Sequence, residues 1–465
     1  QMARDEEGDQ APTPETSGIK GDHLVGDYYV KFNEMVDEEY QAWRDSEAAA
    51  EEFDAWLDEE RAADRLPDEL GDQRENVRES FIETYEEDYF NEYSELGARA
   101  REMLRRWEHG DEQVRELWRT MNEWVYRGFD ETYERLGIEF DEVYHESETY
   151  RRGKEIVEEG LERGIFERRH DGAVVFDLER IGMEGQKVLL RADGTTVYMT
   201  QDLGTALARF EDYDLDRLIY VVGDEQDYHF QVLFGILEEL DDSFEGRLHH
   251  LSYGMVDLPE GKMKSREGKV VDADDLMDEM AQLAEEAVRE RYDDLEEAEI
   301  AHRAEVIGIA ALKYYILDFN PRTNVQFNPE ESIEFQGRTG PYCLYTYARV
   351  QSLGRRVGGW PDLEPAERSG ALAALGTDRE MAVVRTLQEW PDVVDEGFDD
   401  LDPSRVTRYL FSLAKAFSSL YNDPDHRIVD LEGPRREGLL LAARAVARTM
   451  QTGLDLLGIE TLEEM

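Results

Sequence analysis

The sequence predicts an α/β fold, a doubly wound parallel sheet carrying a helical insertion, followed by an all-α C-terminal part. Three observations predict it. From about residue 34 to 134 apolar residues recur at helical spacing between runs of Glu and Asp. From about 138 to 256 short β-branched and aromatic runs alternate with helical stretches. After 272 the pattern is helical to the end. Strand, helix, strand is the rhythm of a parallel sheet with crossover helices, whose ligand site lies at the carboxyl ends of the strands.

Residues 1–22 are polar and rich in Pro, Gly and Asp, and read as a loop. An ordered segment begins at 27–33. In the helical stretch Val36, Tyr40 and Trp43 are spaced by four and three; Phe53, Trp56 and Leu57 share one turn; Val77, Phe81, Tyr85 and Tyr89 recur every four residues. The acidic residues between these stripes read as solvated helix faces. Strands are then expected at Ile138–Tyr144, Val174–Phe176, Val188–Leu190, Thr196–Met199, Leu218–Val222 and about 248–256. Helices are expected at about 201–211 and 226–240. In the C-terminal half, breaks are expected near 318–340, 357–378 and 423–434, where Asn-Pro and Gly-Pro pairs concentrate.

The charge is unusual: 110 acidic against 52 basic residues, a formal net charge of −58, with nine lysines and 43 arginines. Acid enrichment and lysine depletion extend over the whole length, which suits a protein working in molar salt. There the Debye length is about 3 Å and self-repulsion is screened. Counterion release is also largely gone, so the net charge does not exclude a nucleic-acid partner; arginine forks, stacking and shape would hold one. One cysteine, Cys343, excludes an internal disulfide framework and a Cys-based zinc site. No run approaches the roughly 18 apolar residues of a membrane span, and no signal peptide is visible. No metal site is expected, and a cytoplasmic protein with no membrane partner is. The opening Gln1-Met2-Ala3-Arg4 reads as the interior of a longer chain.

Three segments carry chemistry. Gly261-Lys262-Met263-Lys264-Ser265-Arg266-Glu267-Gly268-Lys269 holds three of the nine lysines. Bracketed by glycines after a strand, they suit neutralising a triphosphate as its α-phosphate is attacked. In Asp193-Gly194-Thr195-Thr196-Val197-Tyr198-Met199-Thr200-Gln201-Asp202, Tyr198 closes a strand and Asp202 opens a helix. An aspartate there is a helix cap, or with Tyr198 a carboxylate and a phenol offered to a guanidinium. In Val222-Gly223-Asp224-Glu225-Gln226-Asp227-Tyr228-His229-Phe230, Gln226 can read the polar groups of an amino acid and His229 can reach a ribose or base. Taken alone, His229 reads equally as a partly buried structural histidine.

Together with Leu190-Arg191-Ala192-Asp193-Gly194-Thr195-Thr196, Ser252-Tyr253-Gly254-Met255-Val256 and Phe335-Gln336-Gly337-Arg338-Thr339-Gly340-Pro341-Tyr342, followed by Tyr345, Ala348 and Arg349, these segments resemble the class I arginyl-tRNA synthetases. The likeness runs in order over nearly the whole chain. Leu457-Gly458-Ile459-Glu460 to Met465 resembles the family's C-terminus. Gly21-Asp22-His23 and Tyr28-Tyr29-Val30-Lys31-Phe32 look like the inserted region of archaeal-type members.

The resemblance implies a Rossmann-like catalytic domain over about 1–296, with its insertion at about 34–134. It implies a tRNA-stem connector at 297–340 and an α-helical anticodon-binding domain at 341–465. Tyr198, Asp202 and Gln226 match positions that hold arginine. Lys262, Met263, Lys264 and Ser265 match the mobile signature loop, with Lys262, Lys264 and Ser265 in the catalytic role. Gly223, His229, Met255 and Val256 fall where the ATP adenosine sits. Tyr342, Tyr345, Arg349 and Met465 would touch tRNA. The implied substrates are L-arginine, ATP with Mg²⁺ and tRNA(Arg), and the expected state is a monomer.

Two departures stand out. Lys264 stands where the signature has serine, and Ser265 where it has the second lysine. No His-x-Gly-His element, which in the family binds ATP phosphates, occurs in the 465 residues. The expected consequences are half of an ATP site, missing first strands and an exposed sheet edge. Two alternatives remain open: a non-catalytic tRNA-binding relative, and a class I ligase for another amino acid such as cysteine, for which Cys343 alone supplies too few metal ligands.

Overall fold

The computed structural model describes residues 11–63, 65–67, 70–257, 272–292, 294–424 and 427–465. The described chain forms two compact units, one up to Arg135 and one from Leu136 to Met465.

The first unit is helical: α1 (Gly21–Arg44), α2 (Glu47–Ala62), α3 (Arg74–Thr84), α4 (Glu86–Glu92), α5 (Glu95–Glu108) and α6 (Glu112–Arg135). Ser46 caps α2 by accepting from the Ala49 N–H at 3.2 Å, and Ser94 caps α5 from Gly97 at 2.9 Å. The expected stripes form its core, with Tyr40, Trp43, Phe53, Leu57, Phe81 and Tyr89 buried. Trp43 stacks between Tyr40 and Tyr85, with ring centroids at 5.7 and 5.4 Å. The expected loop through residue 22 is corrected. Pro14–Ser17 is a capped helical turn and α1 starts at Gly21, whose missing side chain leaves room for the Trp124 carbonyl of α6.

The second unit begins irregularly. The strand expected at Ile138–Tyr144 does not form; Ile138, Phe140 and Val143 are exposed, and among the described residues no strand pairs with this segment. Helix α7 (Glu146–Glu162) leads to β1 (Glu167–Arg168), β2 (Val174–Asp177) and β3 (Gln186–Leu190), an antiparallel three-stranded sheet rather than a continuation of the parallel one. The strand expected at Thr196–Met199 shrinks to a single Leu190–Thr196 bridge. Helix α8 (Tyr198–Asp212) starts there instead, so Tyr198 opens the helix and Asp202 lies a turn inside it.

Strand β4 (Leu218–Gly223), helix α9 (Asp227–Leu240) and strand β5 (Leu248–Tyr253) make the βαβ unit. β4 and β5 pair in parallel over six residues, from Leu218–Leu248 to Gly223–Tyr253. Phe230, Leu233, Ile236 and Leu237 of α9 are buried. On the opposite face Val221 is 62% exposed and Tyr253 43%. Parallel sheets are normally covered on both faces, so this face is open among the described residues. β5 ends earlier than expected; Gly254 breaks it, and β6 (Val256–Asp257) pairs instead with β7 (Val325–Gln326).

The rest is helical: α10 (Ala273–Arg291), α11 (Glu297–Leu317), α12 (Gly340–Arg356), α13 (Pro365–Ala373), α14 (Asp378–Gln388), α15 (Trp390–Asp400), α16 (Ser404–Tyr421) and α17 (Gly433–Leu456). The expected breaks fall between them. Thr339 caps α12 and Pro341 sits in its first turn. Gly340 lies so close to α11 that a Cβ there would stand 2.3 Å from the Ala310 carbonyl oxygen. Arg338 pairs with buried Asp318 at 2.6 Å, and the Thr407 hydroxyl of α16 donates to the same carboxylate at 2.8 Å. This node ties three helices together at the start of the C-terminal bundle.

Glu380 is a buried charge in that bundle with partners on both carboxylate oxygens. Its Oε2 accepts from Gly376 and Thr377 N–H at 2.8 and 2.9 Å, and its Oε1 from Arg435 at 2.8–2.9 Å. Burial pushes its carboxyl up, but the two backbone donors and Arg435 outweigh that and hold it below the usual range. A depressed folded-state pKa means the stabilisation is complete at neutral pH and is lost as pH falls through the carboxylate range. Glu380→Ala should cost about 3 kcal/mol and Arg435→Ala about 1 kcal/mol in urea unfolding at pH 7. The gap between wild type and Glu380→Gln should close below about pH 4.

Candidate active site and nucleic-acid interface

The mouth of the β4–β5 pair is assembled by two helix starts. The turn after β3 is tight: Arg191 N–H donates to Thr195 O at 2.9 Å, and Gly194 has φ +81°. Asp193 accepts from both the Thr195 hydroxyl (2.7 Å) and its N–H (2.9 Å), bonds that hold its carboxyl below the ordinary range. This turn delivers Val197 in extended conformation as the N-cap of α8. The Thr200 hydroxyl then donates to Leu189 O, pinning the first turn of α8 to β3. Gly153 and Gly204 let α7 and α8 touch backbone to backbone; a Cβ on Gly204 would meet the Thr149 carbonyl at 2.6 Å.

On α8, Tyr198 and Asp202 are four residues apart and share a face. Tyr198 is 75% exposed. The Asp202 side chain is 41% exposed, and its Oδ2 lies 2.7 Å from His229 Nε2, in the first turn of α9. Gln226, the exposed N-cap residue of α9, stands three residues before His229 and ends the short turn that follows Gly223. Beneath them Tyr220 packs on Phe230, with the Arg209 guanidinium 5.4 Å from its ring. Burial pushes the Tyr220 phenol up to about 12; Arg209 opposes this and Asp202 adds to it. Asp202 and His229 are thus brought into direct contact, with Tyr198 and Gln226 on the same two helix ends.

Met255 and Val256 are placed by a different device. The Met255 N–H donates to Asn324 Oδ1 at 2.9 Å, and Val325 N–H to Met255 O at 2.9 Å. Lys262, Met263, Lys264 and Ser265 lie outside the described residues.

The four residues expected to meet nucleic acid do converge. Tyr345, Arg349 and Met465 line a cavity of about 770 Å³, and with Tyr342 they line another of about 600 Å³. The Arg349 guanidinium lies 4.5 Å from the Tyr345 ring and 5.3 Å from the Tyr421 ring, and donates to the Tyr345 hydroxyl at 2.8 Å. Residues not anticipated are Tyr292, Arg303, Arg355, Arg356 and Tyr421. Arg355 holds the C-terminal segment, donating to Glu463 O at 3.0 Å and pairing with Glu464 at 3.2 Å. The run of Arg349, Arg355 and Arg356 on one predicted helix was a usable signal. Tyr292 and Tyr421 are distant in sequence and gave none. Cys343 is fully buried, and burial pushes its thiol up to about 12.

The described chain thus joins a βαβ unit with polar side chains at its carboxyl end to a helical bundle with an arginine- and tyrosine-lined cavity. Residues 57–328 match the family described as tRNA synthetases class I (R), catalytic domain, and residues 343–465 match the DALR anticodon binding domain. The chain is 44% identical over 456 residues to an arginine–tRNA ligase of Parabacteroides distasonis and 45% identical to one of Porphyromonas gingivalis. In each case the match covers 97% of this chain and 69% of the relative. The fold is similar to Thermus thermophilus arginyl-tRNA synthetase (TM-score 0.65, 23% identity, 80% of this chain and 70% of that one). It is also similar to the Plasmodium falciparum arginyl-tRNA synthetase (TM-score 0.66, 19% identity, 83% and 64%). The chain belongs to the class I arginyl-tRNA synthetases. These sequence relatives are bacterial and lend no support to the expected archaeal type.

Proposed function

We propose that this arginine–tRNA ligase grips the guanidinium of its substrate with the Asp202 carboxylate and the Tyr198 phenol, while Gln226 reads the remaining polar groups. One observation carries this reading. The chain has 43 arginines, and many of its acids are paired with them, yet Asp202 keeps its side chain 41% exposed, with His229 of the helix that follows β4 as its hydrogen-bond partner. A carboxylate has about four acceptor positions, and a guanidinium fork matches two of them.

Gly223, Met255 and Val256, with the ring of His229, border the adenosine. Lys262 and Lys264, with Met263 and Ser265, stabilise the transferring phosphate. The arginine carboxylate attacks the α-phosphate of ATP, pyrophosphate leaves, and the terminal adenosine of tRNA(Arg) then takes the arginyl group as AMP departs. Mg²⁺ comes with the ATP, and the protein contributes position and charge rather than a nucleophile. The proposed division is a catalytic part to 296 with its insertion at about 34–134, a connector at 297–340 and an anticodon-binding part at 341–465. Tyr342, Tyr345, Arg349 and Met465 then hold tRNA bases by stacking and guanidinium contacts. We place the protein in the cytoplasm, as a monomer. No described helix is long and apolar enough to cross a membrane.

Arginine-dependent ATP–pyrophosphate exchange in molar KCl tests the activity. No exchange beside tight tRNA binding would point to a non-catalytic relative. Asp202→Asn should weaken arginine binding about ten- to a hundredfold and ATP binding far less, because a charged hydrogen bond is lost; equal losses would remove Asp202 from the arginine site. Arg349→Ala should raise the Kd for tRNA about tenfold, the magnitude of one lost stack, with arginine binding unmoved. The acidic surface supports high-salt operation. Tm should therefore climb as KCl rises from about 0.1 M to about 2 M, where screening relieves self-repulsion; a flat or falling Tm would contradict it.

A further inference from the structure

The Asp202–His229 contact has a use beyond pinning two helices. We propose that His229 is a positioning residue for the amino-acid substrate: its Nε2–H fixes one oxygen of the Asp202 carboxylate so that the other is presented to the guanidinium. This rests on the reading of Asp202 as the guanidinium acceptor.

The geometry sets the roles of the atoms. A carboxylate only accepts, so the imidazole donates from Nε2 across the 2.7 Å contact to Oδ2. That bond uses one acceptor of Asp202 and leaves Oδ1 without a hydrogen-bond partner among the described residues. The histidine is held while the carboxylate is not: the His229 side chain is 18% exposed, against 41% for Asp202. The His229 ring meets Phe230 edge-on at 5.6 Å, and Phe230 is itself buried against Tyr220. The aspartate comes from α8 and the histidine from α9, so the bond also sets the spacing between Tyr198 on one helix and Gln226 on the other.

The nature of the donor matters. An arginine or lysine at 229 would neutralise Asp202 and compete with the substrate's own cation. An imidazole orients the carboxylate through one N–H without bringing the permanent charge of an arginine or lysine. Arg209, the nearby cation, is held over Tyr220 and Tyr144, with its guanidinium 5.4 Å from each ring. His229 therefore favours a cationic side chain in the site without contacting it, and its ring remains free to border the adenosine.

The test is calorimetric binding of L-arginine and, separately, of ATP to the full chain in molar KCl. Wild type is compared with His229→Gln, His229→Asn, His229→Phe and Asp202→Asn, and Tm is recorded for each. The Gln amide nitrogen reaches Asp202 as Nε2 does; the shorter Asn does not. The expected result is arginine affinity near wild type for His229→Gln. Arginine affinity should fall about ten- to a hundredfold for His229→Asn and His229→Phe, the loss of one charge-assisted hydrogen bond. Gln and Asn both remove the ring that borders the adenosine, so ATP affinity should be alike in those two variants while their arginine affinities differ. The Gln and Asn pair decides the matter even where the Phe variant fails to fold. Equal arginine affinity for Gln and Asn, or arginine and ATP affinities falling together with Tm, would make the contact a helix tie and overturn the proposal while Asp202→Asn still weakens arginine. Unchanged arginine affinity in Asp202→Asn, or no arginine binding by wild type, would overturn the arginine-site reading and this proposal with it.

Discussion

The site depends on the six-residue parallel ladder between β4 and β5. Because the two strands run in step from Leu218–Leu248 to Gly223–Tyr253, they end together. The chain must leave both ends at one edge, and only three residues separate the end of β4 from the start of α9. That short exit places Gln226 and His229 at the mouth with little freedom. The ladder needs only backbone groups and β-branched or aromatic side chains, which is why the segment tolerates an acidic composition elsewhere.

The second determinant is the approach of α8. Its position is set by backbone contacts at Gly153 and Gly204 and by the Thr200 hydroxyl on Leu189, none of which involves a charged group. The contacts that seat α8 on α7 and β3 are thus separate from the polar side chains at the mouth. The same division recurs in the C-terminal bundle, where Asp318, Arg338 and Thr407 are consumed in joining helices while Arg349 and Tyr345 are left for a ligand.

Much of this was legible in the sequence, for identifiable reasons. The helical stripes at Val36–Trp43 and Val77–Tyr89, the runs at Val174 and Leu218, and the Pro and Gly breaks of the C-terminal half are local signals set by period and turn chemistry. The segments 138–144 and 196–199 misled because an apolar run specifies a strand only where a neighbour exists to pair with it. At 196–199 the competing signal, an extended Val197 ahead of a helix pinned by Thr200, depends on a contact with Leu189 that no local pattern reveals. The site residues were found as separate motifs. Their meeting was not, because the Asp202–His229 bond spans 27 residues and the cavity around Arg349 gathers Tyr292, Tyr421 and Met465 from across the bundle.

The manner in which Arg349 is held has a consequence for ionic strength. Many arginines of this chain, Arg289 and Arg405 among them, meet a carboxylate, a long-range attraction between full charges that dissolved ions screen within about 3 Å at 1 M salt. Arg349 instead lies against the faces of Tyr345 and Tyr421, an attraction between a cation and a ring quadrupole at contact range, where no counterion fits between the partners. The orientation of Arg349 therefore rests on contacts that dissolved salt screens little, unlike the ion pair that holds Arg355 beside it.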